Sequence, residues 1–462
     1  MGRPTTKPEG GRDHGRGEPV RAASRSRRAA IWITLYFALA CGPLLVLLVG
    51  DVPPPVAVAW DFSMGLGFAG LSLFGLQFAL TARFRRATSP FGVDAIYVLH
   101  RYLAWVALLL VGAHFAILWL FYEEALGVLD PREARWELTS GRAALVLLGL
   151  AVVTSQWRKL LRLDYGLWRY LHVAFATAGF AAATAHVLGV GNYTSVSGKT
   201  ALWLALTLAW LALIVWVRIG KPWRQTRRPY RVAEVRRRPA GTTTLVLEPD
   251  GHAGLGRFKP GQFAWLTLGA SPFAMREHPF SFDSPPEDLP RLSFSIKALG
   301  DFTASVREVE PGARAYLDGP YGVFTADDHP EADGYVFVVG GIGVTPAMSM
   351  LRSLARRGES RPLRLFYGSE TVEDILFRDE LDALAERLDL RVVHVISNPP
   401  DAWAGEHGYV TKEILERGLP ERRDGLVCFL CGPTPMTDAA RAALASLGVP
   451  AHRIRTEVFE FA

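Results

Sequence analysis

Cysteine is scarce in this chain: Cys41, Cys428 and Cys431 are the only three in 462 residues. Three such thiols exclude a disulfide framework and a complete cysteine metal set. Charge is missing from long stretches of residues 30–218, and the chain as a whole is 50% hydrophobic. Length and composition together exclude one ordinary soluble domain. The net charge of +6 comes largely from arginines beside the apolar runs, so no nucleic-acid partner is needed to explain it. Residues 1–29 are rich in arginine and lack a periodic apolar face, which predicts a disordered basic arm.

Six apolar segments follow, at roughly 30–50, 56–81, 94–121, 141–157, 165–189 and 200–218, each predicted to span a membrane as a helix. The fourth is short. The first is expected to be an uncleaved span: residues 38–41 only loosely resemble a lipoprotein cleavage box, and the apolar run continues to Gly50. Arg83, Arg85 and Arg86 follow the second segment, Arg158, Lys159 and Arg162 the fourth, and Arg218, Lys221, Arg224, Arg227 and Arg228 the sixth. The positive-inside rule places these loops in the cytoplasm, along with the N-terminal arm and the second half of the chain. Glu123, Glu124, Asp130, Glu133 and Glu137 then lie outside. The expectation is a multi-pass protein of the plasma membrane, in contact with lipid.

Two histidine pairs lie within these segments. His100 and His114 are 14 residues apart in the third segment, and His172 and His186 repeat that interval in the fifth. Fourteen residues make nearly four helical turns, so each pair shares one helix face with about 21 Å of axial separation. Imidazole is costly to bury in lipid unless its nitrogens are engaged. Two facing helices with matched pairs predict two stacked bis-histidine sites: an inner one of His100 and His172 and an outer one of His114 and His186. Two b-type haems in a membrane fit that pattern. Arg101, Arg169 and Lys159 fall near the inner site, either to pair with haem propionates or to snorkel to the interface.

After a basic linker at 218–229 the pattern changes. YRVAEVRR, TTTLVLEP, GQFAWLTLG, RLSFSIKALG and ARAYLDGP are short β-rich runs broken by glycine and proline, which predicts a small antiparallel barrel. Beyond about residue 333 strands alternate with helices, the signature of a parallel α/β sheet. The expected architecture is a six-helix transmembrane bundle, then an antiparallel β-barrel, then a parallel α/β nucleotide-binding domain. Its limits are expected at 1–29 for the arm, 30–220, 228–328 and 329–462.

Three motifs stand out in this half. His278, Pro279, Phe280 and Ser281 fall on a barrel strand, where Phe280 can lie against a planar ring and the Ser281 hydroxyl can donate to a ring nitrogen. Gly300, Asp301, Phe302 and Thr303 end a strand and open a helical segment, placing backbone N–H groups where a pyrophosphate can sit. VVGGIGVTP at 338–346 is a glycine turn between strand and helix, with Pro346 suited to the first helical turn. It lacks the GxGxxG spacing of the dinucleotide fingerprint. Each motif alone is equally compatible with an ordinary turn.

In combination HPFS, IKxxGDFT, GGIGVTP, the CGP of residues 431–433 and the terminal VFEF resemble the NADPH oxidase and ferric reductase superfamily, over about residues 90–462. The histidine intervals match that family too. The resemblance implies a dehydrogenase half of the ferredoxin-NADP reductase type. It implies that His278, Pro279, Phe280 and Ser281 contact the flavin of FAD and that Gly300, Asp301, Phe302 and Thr303 hold its pyrophosphate. It implies further that Gly340, Gly341, Gly343, Thr345 and Pro346 contact NAD(P)H, and that Cys431, Gly432 and Pro433 lie beside the nicotinamide. Phe461 would cover the flavin ring, although Ala462 follows it, whereas in many relatives the covering aromatic is the last residue. Ser281, Cys431 and Phe461 are therefore the expected catalytic set.

The implied reaction is hydride transfer from NAD(P)H to flavin, then single-electron transfer to the inner haem, the outer haem and an external acceptor. With all four histidines spent as axial ligands, oxygen or a ferric chelate would be reduced at the haem edge, giving superoxide or ferrous iron. Glu370 follows FYGS where NADPH-preferring relatives often carry arginine, a mild lean toward NADH. Two rivals remain at this level: a membrane-anchored flavin reductase without haem, and a transporter or sensor regulated by redox nucleotides. No obligatory protein partner is inferred.

Overall fold

The computed structural model describes residues 18–84 and 91–457. Six of its helices are long and apolar enough to cross a membrane: α1 (Glu18–Leu47), α2 (Val58–Thr81), α3 (Val93–Phe121), α4 (Trp136–Gln156), α5 (Tyr165–Val190) and α6 (Ser197–Val215). Their limits differ from expectation at three places. The first helix begins at Glu18, inside the stretch expected as a disordered arm, because alanine and arginine are strong helix formers and here extend a helix that is already nucleated. Residues 1–17 lie outside the described residues. The fourth begins at Trp136 rather than 141; Ser140 Oγ donates to Trp136 O at 2.8 Å, so this polar turn satisfies itself without breaking the helix. The sixth continues through a π-helical turn at Trp216–Gly220 into Lys221–Thr226.

Helix α2 packs along α3, and α4 along α5. Small residues make this possible. A Cβ at Gly70 would stand 2.4 Å from Val111 Cγ2, and one at Gly179 would stand 2.9 Å from Leu148 Cγ. Phe62, Leu109, Leu120 and Phe121 are exposed on the outside of the bundle, as a lipid-facing surface requires.

In the second half, β1 (Tyr230–Arg238), β2 (Thr242–Pro249), β3 (Phe263–Leu268), β4 (His278–Ser281), β5 (Leu292–Lys297) and β6 (Arg314–Tyr321) form one antiparallel sheet in the order β4-β3-β6-β1-β2-β5. It curls so that the end of β4 meets β5, where Asp283 N–H donates to Ser293 O at 3.0 Å. Leu245, Leu247, Leu266, Phe282 and Phe294 fill its interior. A five-residue helix, α7 (Asp301–Ser305), lies between β5 and β6.

The remainder is a parallel sheet of β7 (Gly334–Gly340), β8 (Leu363–Ser369), β9 (Leu390–Ile396), β10 (Glu406–His407), β11 (Leu426–Cys431) and β12 (Ile454–Glu457), in the order β10-β9-β8-β7-β11-β12. Helices α8 (Val344–Arg356) and α9 (Arg378–Ala385) follow β7 and β8; α10 (Lys412–Gly418) and α11 (Thr434–Ser446) flank β11. Every residue of β7 is buried, as expected of a strand covered on both faces. Reversal of connection direction at β7 puts the C-terminal ends of β7 and β11 side by side, the usual place for a ligand crevice in such sheets.

Candidate active site

The His100 and His172 rings face each other with centroids 6.4 Å apart and planes at 76°. A metal–imidazole bond of about 2 Å places each ring centre roughly 3 Å from the metal, so one metal between the two rings accounts for this spacing. The rings border a cavity of about 460 Å³ between α2, α3, α4, α5 and α6, large enough for a flat macrocycle.

Three of the four rings are held through Nδ1. His172 Nδ1 lies 3.4 Å from Ala151 O and 3.0 Å from Ser155 Oγ; His114 Nδ1 is 2.9 Å from Ser63 O; His186 Nδ1 is 2.9 Å from Glu137 O. A carbonyl only accepts, so Nδ1 carries the proton in each and Nε2 keeps a lone pair for a metal. His100 Nδ1 is buried without a partner. Glycines give the outer rings room: a Cβ at Gly141 would lie 2.8 Å from His186 Nδ1, and one at Gly67 3.3 Å from His114 Cγ. Among the described residues no group of three or more His, Cys, Asp or Glu is placed to hold a metal.

The barrel borders one end of the inner cavity, through Trp265 and Glu277. Glu277 precedes β4 and joins two arginines of the membrane half, Arg169 at 2.6 Å and Arg83 at 3.2 Å. Arg169 also donates to Met275 O at 2.6 Å, and Tyr170 OH donates to Ala274 O at 3.0 Å. Asp318 on β6 receives Lys221 at 3.5 Å and Arg83 at 3.7 Å. The Arg83 guanidinium lies 4.6 Å over the Trp265 ring. Burial opposes ionisation of Glu277, but Arg83 and Arg169 outweigh it and hold the carboxyl below the usual carboxylate range. This clamp was not foreseen. Arg169, considered as a propionate partner, is committed to Glu277, and Lys159 is exposed away from the cavity. Arg169 still borders it, as do Arg101 and Arg218.

On β4 the Ser281 Oγ is buried and has no hydrogen-bond partner, a hydroxyl that a flavin ring nitrogen would satisfy. His278 stacks on Phe302 with centroids 3.9 Å apart and planes at 16°, and Phe280 lies nearly parallel to Phe302 at 6.2 Å. HPFS and GDFT are thus one aromatic cluster. The GDFT turn is closed by Thr303, whose Oγ1 accepts from Leu299 N–H and Gly300 N–H at 2.8 Å each. Gly300 N–H is therefore spent inside the motif. The donors left for an anion are the first-turn N–H groups of Asp301, Phe302 and Thr303.

The glycine turn and CGP meet at the ends of β7 and β11. A Cβ at Gly343 would lie 2.3 Å from Cys431 O, one at Gly432 3.0 Å from Gly340 N, and one at Gly340 3.0 Å from Pro433 Cδ. Gly343→Ala is accordingly expected to destabilise this domain by ~1–3 kcal/mol, visible as a lowered Tm; an unchanged Tm would refute the close approach. Gly341 differs: its φ is +53° and nothing lies within 4 Å of its Cβ position, which leaves backbone open to a ligand. A 3-10 turn at Gly341–Gly343 precedes α8, so Thr345 and Pro346 occupy its first turn, with Thr345 Oγ1 donating to Ile342 O at 3.0 Å.

Burial, with Glu457 and Asp94 nearby, pushes the Cys431 thiol well up, so it is a neutral side chain and not a thiolate nucleophile. Its register partner on β12 is Glu457, a buried carboxyl also pushed well up by burial, with Oε2 unpartnered. Glu457 went unnoticed in the sequence because nothing local distinguishes it from a surface acid. Phe461 lies outside the described residues.

Comparison with known proteins divides the chain in the same way. Residues 66–184 match the family model of the ferric reductase like transmembrane component, and residues 337–442 that of the oxidoreductase NAD-binding domain. Ferredoxin--NADP reductase B of Sorangium cellulosum is 33% identical over 46% of this chain and 88% of its own length. NADH-cytochrome b5 reductase 1 of Pyricularia oryzae is 30% identical over 48% of this chain and 73% of its own. Among solved structures, the cytochrome b5 reductase domain of Ulva prolifera nitrate reductase is similar with 20% identity and a TM-score of 0.45, over 50% of this chain and 98% of that one.

Proposed function

The chain belongs to the NADPH oxidase and ferric reductase superfamily, a multi-pass membrane NAD(P)H oxidoreductase with FAD and nucleotide domains of the ferredoxin reductase type, and from that premise we propose that it carries electrons across the membrane. The route runs from cytoplasmic NAD(P)H through FAD and two b-type haems to an acceptor outside, oxygen or a ferric chelate. One observation carries this reading: the His100 and His172 rings stand 6.4 Å apart on a cavity that the barrel carrying HPFS borders.

FAD supplies the change from two-electron to one-electron chemistry, and haem the one-electron relay. The protein's own part is positioning. Ser281 offers a hydroxyl to the flavin ring, His278, Phe280 and Phe302 form an aromatic wall beside it, and Asp301, Phe302 and Thr303 present N–H groups to the pyrophosphate. Gly341 and Thr345 open the turn to the nucleotide, while Cys431, Gly432 and Pro433 border the nicotinamide. Phe461, which lies outside the described residues, would by the family resemblance cover the ring until the nucleotide displaces it. His100 with His172 holds the inner haem, and His114 with His186 the outer. Arginine-rich loops after α2 and α4 and after α6 put both soluble domains in the cytoplasm of a plasma-membrane protein, with functional limits at 30–220, 228–328 and 329–462.

The test is a visible spectrum of the purified protein followed by rapid mixing with NADH or NADPH. Two haems per chain, reduced after the flavin, are expected. A yellow protein without haem absorbance would instead fit a membrane-anchored flavin reductase. The similar proteins named above divide between NADH and NADP, and Glu370 carries the lean toward NADH here. Its side chain is exposed, so Glu370→Arg is expected to shift the ratio of kcat/KM toward NADPH by only about 1 kcal/mol or less. An unchanged ratio would remove the lean.

A further inference from the structure

A second cavity, of about 750 Å³, lies elsewhere, between β1, β2 and β5 of the barrel and α8 and α9 of the parallel sheet. Among the described residues, none from HPFS, GDFT, GGIGVTP or CGP borders it. Six arginines do: Arg236, Arg238, Arg291, Arg352, Arg356 and Arg387. Four carboxylates share the wall, and each is already bonded to a neighbour. Glu234 holds Arg236 at 2.6 Å. Asp283 and Glu380 hold Arg352 at 3.2 and 2.7 Å, and Asp288 pairs with Arg356. Arg291 turns outward to Glu248 at 2.7 Å.

Arg238 and Arg387 are left without an ion pair among the described residues. The Arg238 Nε is buried and has no hydrogen-bond partner. Its guanidinium is fixed 5.3 Å over the Phe377 ring, and Arg352 lies 5.1 Å from the same ring. Phe377 itself is buried at the start of α9 with φ of +61°, a backbone conformation that a side chain of this size rarely adopts and that the surroundings must enforce. A half-open cleft in which two arginines lie outside any ion pair, one of them with a fixed, unsatisfied donor, matches an oxyanion, because guanidinium groups bind oxyanions through charge-assisted hydrogen bonds. The volume is that of a small-molecule site.

We propose that this cleft binds a small organic dianion, a phosphomonoester or a dicarboxylate, with Arg238 and Arg387 as its two charged contacts. Its walls come from two domains, so a bound dianion favours only the arrangement in which both are in place. This inference does not depend on haem or on the electron acceptor.

The test uses the detergent-purified full chain with FAD, with NAD⁺ at saturation to fill the nucleotide site. Glycerol 2-phosphate and succinate are titrated calorimetrically at constant ionic strength, with glycerol as the neutral control. Saturable one-site binding is expected for at least one anion, and whichever binds identifies the source. Arg238→Gln and Arg387→Gln are each expected to weaken it by about tenfold or more, as loss of a charge-assisted hydrogen bond implies, with FAD content unchanged. If Arg238→Gln does not fold, the exposed Arg387→Gln decides. Heats equal to those of glycerol for both anions, or parental affinity in the variants that fold, would overturn the site.

Discussion

Replacing His100 or His172 with alanine is expected to stop electron delivery to any external acceptor while NAD(P)H still reduces the flavin. The two rings stand where a single metal would join them, and the barrel meets the membrane half at their end of the bundle. On the proposed route, losing either ring would remove the first acceptor after the flavin. His114→Ala or His186→Ala should act differently, because those rings are anchored at the other end, on Ser63 O and Glu137 O. On the proposed pairing, the outer haem should be lost while the inner one should still take electrons from the flavin. Haem stoichiometry with rapid-mixing spectra separates the two classes. A His100→Ala protein that keeps both haems with parental spectra would refute the pairing.

Periodicity and the motifs revealed most of the fold, because they are local. Fourteen-residue intervals put the histidines on one helix face, and the apolar runs located six helices, although the first begins at Glu18, well before its apolar run, and the sixth continues to Thr226. The β-rich runs supplied five barrel strands, and HPFS the sixth. What escaped the sequence is what depends on distant partners. Glu277 looks like an ordinary loop acid beside Arg276 until folding brings Arg83 and Arg169 to it. Glu457 looks like a surface acid until β12 is seen lying beside Cys431 on β11. The need for Gly343 comes from Cys431 O on a different strand, which no local pattern encodes. Even GDFT, legible as a motif, misleads in detail, since Thr303 takes up the Gly300 N–H that seemed available to phosphate. Local rules thus identify the parts; the joint between the membrane half and the dehydrogenase half is a tertiary product.

That joint gives the second large effect, Glu277→Ala. Both members of the pair are nearly buried, with 11% of the Arg83 side chain and 12% of Glu277 exposed, so removing the carboxylate leaves Arg169 without its carboxylate and Arg83 with only the longer contact to Asp318. Breaking a buried pair from one side costs ~3–5 kcal/mol. Docking of the barrel on the inner cavity should weaken by about a hundredfold or more. Flavin reduction by NAD(P)H should be unaffected, and haem reduction should slow by up to the same factor. Glu277→Gln tests whether charge or shape matters: a neutral amide keeps the hydrogen bond to Arg169 and should fall between parent and alanine. The pH dependence has a defined sign. The folded carboxyl titrates below its ordinary value of 4.5, so the pair's contribution is complete above that value and fades only as pH drops through the lower, folded one. Haem reduction in the parent should therefore hold down to about pH 4.5 and decline only below it, whereas Glu277→Gln should show no decline attributable to this group. Equal rates of haem reduction in parent and Glu277→Ala would mean that the clamp does not position the barrel over the inner site.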